Sequence, residues 1–163
     1  MKKLFLFLFT ILVFNVSCSQ KSKFRTKTTD YTIVDSLKYV SAIPDDYFHP
    51  KGDTICSKIL NNYKDLTPLL IEKISDTTNS KYKYADFYYY KVGDIALELL
   101  SWGYGNNKFP VRKLLNNEFK IQNKNDQLNL IFYDLFHDNT LETNFKNRQR
   151  FKTVVKKWFL NKK

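Results

Sequence analysis

Two apolar stripes at helical spacing, parted by a polar and aromatic connection, constrain this chain more than any other feature. Leu66, Leu69, Leu70 and Ile74 fall at i, i+3, i+4 and i+8, on one face of a helix. Val92, Ile95, Ala96, Leu99 and Leu100 fall at i, i+3, i+4, i+7 and i+8, a second and cleaner stripe. The spacing predicts an antiparallel helical hairpin between Leu66 and Trp102 that needs further helices to cover it.

Those helices are legible on both sides. Ile33, Val34, Leu37 and Val40 predict a first amphipathic helix closed before Pro44, and Asp45 to Gly52 is a loop by its breakers. Asp53 is placed to cap a helix carrying Cys56, Ile59, Leu60 and Tyr63. Thr67 and Pro68 form an N-cap and first-position pair for the next helix, which Asp76 to Ser80 ends. Gly93-Asp94 opens the second helix of the hairpin, with Asp94 near its positive end, and Gly103 and Gly105 supply the positive φ of its C-cap. Pro110 opens a short helix with Leu114 and Leu115, and Asn116 to Asn125 is loop-like.

Leu128, Ile131, Phe132, Leu135 and Phe136 repeat the five-point stripe, and His137 to Thr140 breaks it. Asn139 with Glu142 has the spacing of a capping box. The final helix carries Phe151, Val154, Val155, Trp158 and Phe159 on one face and Arg148, Arg150, Lys152, Lys156 and Lys157 on the other. Lys81 to Lys91 has high β-propensity but poor alternation, and Tyr88, Tyr89 and Tyr90 cannot all face one way. It reads either as a connection whose aromatics partly cover the hairpin or as an aromatic and basic platform. Tyr82, Tyr84, Tyr88, Tyr89, Tyr90, Arg148, Arg150, Lys156 and Lys157 are the candidate interaction surface. The fold expected is all-α, a compact bundle of about six or seven short helices without a sheet.

The N-terminus carries a different signal. Lys2 and Lys3 precede an apolar run from Leu4 to Phe14, long enough for a signal h-region and too short to span a bilayer. Asn15-Val16-Ser17-Cys18 follows and resembles the lipobox of bacterial lipoprotein precursors. That resemblance implies cleavage between Ser17 and Cys18 and acylation of Cys18, giving several chains and stable membrane anchoring. Asn15 stands where the family usually has Leu, so plain secretion with cleavage after Ser19 is the alternative. Ser19, in place of Asp, points in the family's sorting logic to an outer membrane facing the periplasm. The expected organisation is a signal peptide over 1–17, a lipidated and flexible basic tether over 18–30, and one helical domain over 31–163.

A second resemblance lies in the body. Thr67-Pro68-Leu69-Leu70-Ile71, then Val92-Gly93-Asp94-Ile95-Ala96, with a late Arg148 and Trp158, are similar to uncharacterised small bacterial proteins with a HEAT-like helical hairpin. In those proteins a short polar loop joins the two segments. The likeness implies no activity.

Charge and chemistry narrow the function. The formal charge is +11, and without Lys2 and Lys3 there remain 25 basic against 16 acidic residues, +9. Arg occurs only at positions 25, 112, 148 and 150, so the charge is mostly Lys, which suits anionic surfaces better than the bidentate reading of nucleic acid. No nucleic-acid partner is expected.

Without Cys18, Cys56 stands alone on an apolar stripe and reads as a buried thiol, not as a nucleophile with His49 or His137. Two His and one Cys are poor ligand stock for zinc, and Asp45-Asp46 lacks a spaced third ligand for a hard cation. His137-Asp138 reads as a polar helix end, and Glu72 and Glu98 as solvated helix faces. No phosphate loop, serine elbow or zinc-protease helix is present. The expected protein is therefore a membrane-anchored, non-catalytic domain that binds or scaffolds a protein partner, without cofactor or metal. The alternatives are a toxin-neutralising immunity protein, an envelope-polymer hydrolase built on Asp45, Asp46, His49 and Glu72 or Glu98, and a binder of anionic glycans or lipids.

Overall fold

The computed structural model describes residues 28–45, 48–84, 87–104, 109–121 and 128–162. The expected leader, the expected cleavage site at Ser17 and Cys18, and most of the expected tether lie outside these residues. Among them the chain forms a 3₁₀ helix, six α-helices and one antiparallel pair of strands. The chain is mostly helical, as expected, and the small sheet is a correction.

The 3₁₀ helix spans Tyr31–Tyr39 and is capped by Asp30, whose carboxylate accepts from the Thr32 N–H. Its buried residues Val34 and Leu37, with Val40 just beyond, recur every third position, the 3₁₀ repeat and not the α repeat. Gly52 then turns with φ +66°, where an added Cβ would collide with the Ala42 carbonyl oxygen at 2.8 Å. Helix α1 (Thr54–Leu60) starts on the expected cap: the Asp53 carboxylate accepts from the N–H groups of Ile55 and Cys56 at 3.0 and 3.1 Å.

Helix α2 spans Tyr63–Lys73, so it begins four residues before the Thr67-Pro68 pair expected to open it. Pro68 sits inside the helix, and Thr67 donates its hydroxyl to the Tyr63 carbonyl at 2.6 Å and is buried. The buried face of Leu66, Thr67, Leu70 and Ile71 holds a turn that the proline alone would disfavour.

Strands β1 (Asn79–Tyr84) and β2 (Tyr88–Lys91) form the hairpin that joins α2 to helix α3 (Val92–Tyr104). Pairing runs Lys83 to Tyr89 and Tyr84 to Tyr88, with an irregularity between Asn79 and Lys83. Side chains still alternate along β1, outward at Asn79, Lys81 and Lys83 and inward at Ser80, Tyr82 and Tyr84. The three consecutive tyrosines divide between the faces: Tyr90 is buried, Tyr88 is half-buried and Tyr89 is exposed.

Two glycines show how α3 lies on α2. A Cβ at Gly93, in the first turn of α3, would stand inside contact distance of the Ile74 carbonyl oxygen, just past the end of α2. A Cβ at Gly103, at the other end of α3, would meet Tyr63 at 3.0 Å, at the start of α2. The pair is antiparallel and closely packed, as the two stripes predict. Gly103 is helical and serves this approach, so it is not a C-cap; Gly105 is outside the described residues.

Helix α4 (Val111–Phe119) ends on Lys120 in the left-handed region at φ 55°, helix α5 spans Leu128–Phe136, and helix α6 spans Leu141–Leu160. The cap of α6 is Thr140, which accepts from the Thr143 N–H, and not the expected Asn139. Leu37, Ile59, Leu66, Ile95, Leu99, Phe132, Phe136, Phe151 and Val155 belong to one continuous core, with α3 buried along most of its length.

Candidate functional site

The first turn of α3 starts under the β-hairpin, where free helical N–H groups need partners. The Val92 N–H donates to the Thr78 carbonyl and the Gly93 N–H to the Asp76 carbonyl, at 2.8 and 3.0 Å. Asp94, three residues into the helix from Lys91, reaches back and accepts from the Lys91 N–H at 2.7 Å, as the third residue of a capping box does. Its carboxylate is buried, and two further elements converge on it.

From α6, Arg148 places Nη1 at 2.8 Å from Asp94 Oδ1, with both side chains buried. This is an ion pair without the alignment of a hydrogen bond, and Nε of Arg148 has no hydrogen-bond partner among the described residues. The Phe136 ring lies 4.9 Å from the guanidinium carbon and offers it a π face. From the end of α5, His137 places Nε2 at 2.9 Å from Asp94 Oδ2 and at 3.2 Å from Arg148 Nη2. Arginine nitrogens only donate, so one ring nitrogen cannot serve both neighbours. A proton on Nε2 directed at the carboxylate makes the stronger, charge-assisted bond. Burial pushes the Asp94 carboxyl up, but the close Arg148 charge and the bond from His137 outweigh it and hold Asp94 below the usual carboxylate range.

The inner face of the hairpin roofs this cluster. Tyr82 packs edge-on against Tyr90 at 5.1 Å, and Tyr84 faces Tyr88 at 5.8 Å. Tyr88 lies 4.4 Å from the His137 ring and 5.2 Å from Tyr133. Burial raises the Tyr88 and Tyr90 phenols, which stay neutral at physiological pH. One turn beyond Asp94, Glu98 is half-buried, and no cation pairs with it among the described residues. Desolvation first, and then the Asp94 charge, push its carboxyl to about 7.

The expected interaction residues therefore separate. Arg148 and Tyr90 are buried, and Tyr82, Tyr84 and Tyr88 lie half-buried on the inner face. Arg148 stood on the assumed open face of the last helix; the buried Asp94 carboxylate draws it inward. Arg150 pairs with Glu118, Lys156 with Glu72 at 2.6 Å, and Lys157 is exposed. Of the five tyrosines only Tyr89 is open to solvent. Glu72, read as part of a solvated helix face, is held between Lys152 and Lys156 of α6.

The Cys56 thiol is buried against the Ala42 carbonyl at 3.5 Å, and burial pushes it to about 12, as suits an inert thiol. The Asp45 carboxylate accepts from the N–H groups of Phe48 and His49 in a local turn; Asp46 lies outside the described residues. Among the described residues no group of three His, Cys, Asp or Glu could hold a metal ion.

Comparison with family models, with curated proteins and with solved structures found no match to this chain. The cluster must be read from its own geometry. Sequence inspection placed Asp94 at a helix start and His137 at a helix end, but it did not join them to Arg148. No local signal could join them, because Asp94 lies off the stripe of Val92, Ile95, Ala96, Leu99 and Leu100, and its countercharge comes from a helix far along the chain.

Glu98 carries a testable pH dependence. Its folded value of about 7 lies above the ordinary 4.5, so the associated stability is present below 4.5 and is lost as pH rises through 7. Full burial would make this about 3 kcal/mol, and partial exposure reduces it to about 1–2 kcal/mol. Glu98→Gln is expected to raise stability by that amount at about pH 8 and to leave it unchanged at about pH 4. Urea unfolding at both pH values reads it. Equal effects at the two values would show that charge is not the cause.

Proposed function

We propose that the protein is an exported, lipid-tethered domain that binds a protein partner and performs no catalysis itself. The observation that carries this reading is a set of exposed apolar side chains on two successive helices. Leu130 and Tyr133 of α5 are 50% and 37% exposed, and Leu141 and Phe145 of α6 are 87% and 45% exposed. Leu141 and Phe145 stand four apart on one helix face. Large apolar groups left in water at this density mark a contact surface. Asp134 and Asp138 are exposed on the same stretch, while Glu142 is already paired with Lys146, so the fitting partner is apolar with basic groups facing the two aspartates.

The buried charges support a structural use. Asp94 is occupied by Arg148, His137 and the Lys91 N–H, and it ties the start of α3 to the end of α5 and the middle of α6. The HEAT-like character of the α2–α3 pair belongs to the same proposal. Antiparallel packing supports it, and the β-hairpin that replaces a short loop departs from it. Among the described residues no helix is long and apolar enough to cross a membrane, and attachment in this reading rests on Cys18.

The test is crosslinking and affinity capture from native envelopes with the full chain, with a Cys18→Ala form, and with a Leu141→Asp/Phe145→Asp form. One protein recovered by the full chain and lost with the double substitution is the expected result. Equal recovery by the double variant would sink the assigned surface. Equal recovery by Cys18→Ala would show that the tether is dispensable.

A further inference from the structure

The outer face of the hairpin has chemistry opposite to that of the α5–α6 surface. Lys81 and Lys83 are exposed on β1, and Tyr89 is 48% exposed on β2. Lys83 Nζ lies 5.8 Å from the Tyr89 ring centre. Beside β1, Tyr39 at the end of the 3₁₀ helix is 52% exposed, with Lys81 Nζ at 5.6 Å and Lys38 Nζ at 5.1 Å from its ring. Phe87, next to the hairpin turn, is 82% exposed. From Lys81 to Lys91 the chain carries three lysines against one carboxylate.

We propose that this face docks onto an anionic phospholipid surface, with Lys38, Lys81 and Lys83 against the headgroups, Tyr39 and Tyr89 at headgroup level, and Phe87 entering the acyl boundary. Each part follows from the chemistry of that boundary. Tyrosine places an apolar ring and a polar tip at a bilayer interface, lysine stems lie along apolar surface while their ammonium groups reach phosphate, and a bare phenylalanine beside a turn gains by leaving water. Lysine, strongly hydrated and flexible, suits a diffuse field of headgroups better than one fixed bidentate acceptor. The setting rests on the tethered reading above, because a lipid on Cys18 would hold the domain beside such a surface. The face itself is defined without it. Docking would fix the orientation in which a tethered domain offers its α5–α6 surface.

The experiment uses the full chain with Phe87→Trp and vesicles of phosphatidylcholine alone or with phosphatidylglycerol, both bearing brominated acyl chains. The parent chain with its two native tryptophans is the baseline. Quenching of the added emission in phosphatidylglycerol vesicles, weakened at least about 30-fold in effective partition by Lys81→Glu/Lys83→Glu, is the expected result. No quenching there, as a face made for an acidic protein would give, overturns the proposal. Equal quenching without phosphatidylglycerol, or in the lysine variant, also overturns it. Flotation with phosphatidylcholine vesicles reads the tether separately, so loss of anchoring and loss of docking give different results.

Discussion

Replacing Arg148 by methionine is expected to lower the unfolding free energy by about 3–5 kcal/mol, a large share of what a domain of this size holds. The methionine keeps most of the apolar stem, so the loss isolates the charge. Asp94 would remain buried with His137 and the Lys91 N–H but without its full positive partner. Its carboxyl would then be raised by burial instead of lowered by Arg148. The deficit should accordingly be greatest near neutral pH and shrink as pH falls and the stranded carboxylate takes up a proton. A packing defect would not depend on pH in this way.

Adding Asp94→Leu to Arg148→Met should recover much of the loss, because removing both charges removes the desolvation cost as well. Urea unfolding of the two single variants and the double variant reads all of this. A single-variant loss below about 1 kcal/mol, or a double variant no better than the Arg148 single, would show that the pair is not the clamp inferred here. In the parent protein the sign runs the other way. Asp94 is held below its ordinary value, so its contribution persists above that value and disappears only as pH falls through the lower, folded one.

Gly93→Ala is expected to cost about 3 kcal/mol or to prevent folding, although alanine ordinarily stabilises a helix over glycine by about 1 kcal/mol. The new methyl would press on the Ile74 carbonyl, which is backbone and cannot turn aside, and on Arg148 Nη1 at 2.9 Å. It would therefore disturb both the crossing of α2 with α3 and the charge cluster. Gly103→Ala is the comparison. Its methyl meets Tyr63 Cβ at 3.0 Å, a milder approach that asks the two helices to part by a few tenths of an ångström, and a loss of about 1–2 kcal/mol is expected. Thermal unfolding of the two variants decides the matter. A Gly93→Ala protein as stable as the parent would mean that α3 does not lie so close to α2.

The two positions show which features of the sequence were readable. Asp94 and Gly93 were read correctly as a helix start, because capping and dipole effects act within one turn. Gly103 was misread as a terminator, because a glycine used for close approach looks like one used for positive φ. Pro68 was misread in the same way: as a start signal it matches the local rules, and only the buried face of Leu66, Thr67, Leu70 and Ile71 carries the helix through it.

The strands were missed for a different reason. The two-residue period is present in the fold, but the outward Tyr89 is chemically the same as the inward Tyr88 and Tyr90, and it is the cross-strand contacts of Tyr82 with Tyr90 and Tyr84 with Tyr88 that fix which rings face inward. The 3₁₀ helix left a readable trace in the three-residue spacing of Val34, Leu37 and Val40, which an α-helical reading passes over.

By itself, then, the sequence determined the helical character of the chain, the apolar faces of its helices, the Asp53 cap and the burial of Cys56. Each depends on residues within a turn or two of one another, where spacing and side-chain type decide the outcome. The tertiary structure alone decided that Asp94 meets His137, 43 residues away, and Arg148 farther on. It also decided that Arg148 faces inward while Lys81, Lys83 and Tyr89 face out. Charge pairing in a core is set by how helices cross, and the crossing depends on two glycines whose missing side chains leave no periodic signal.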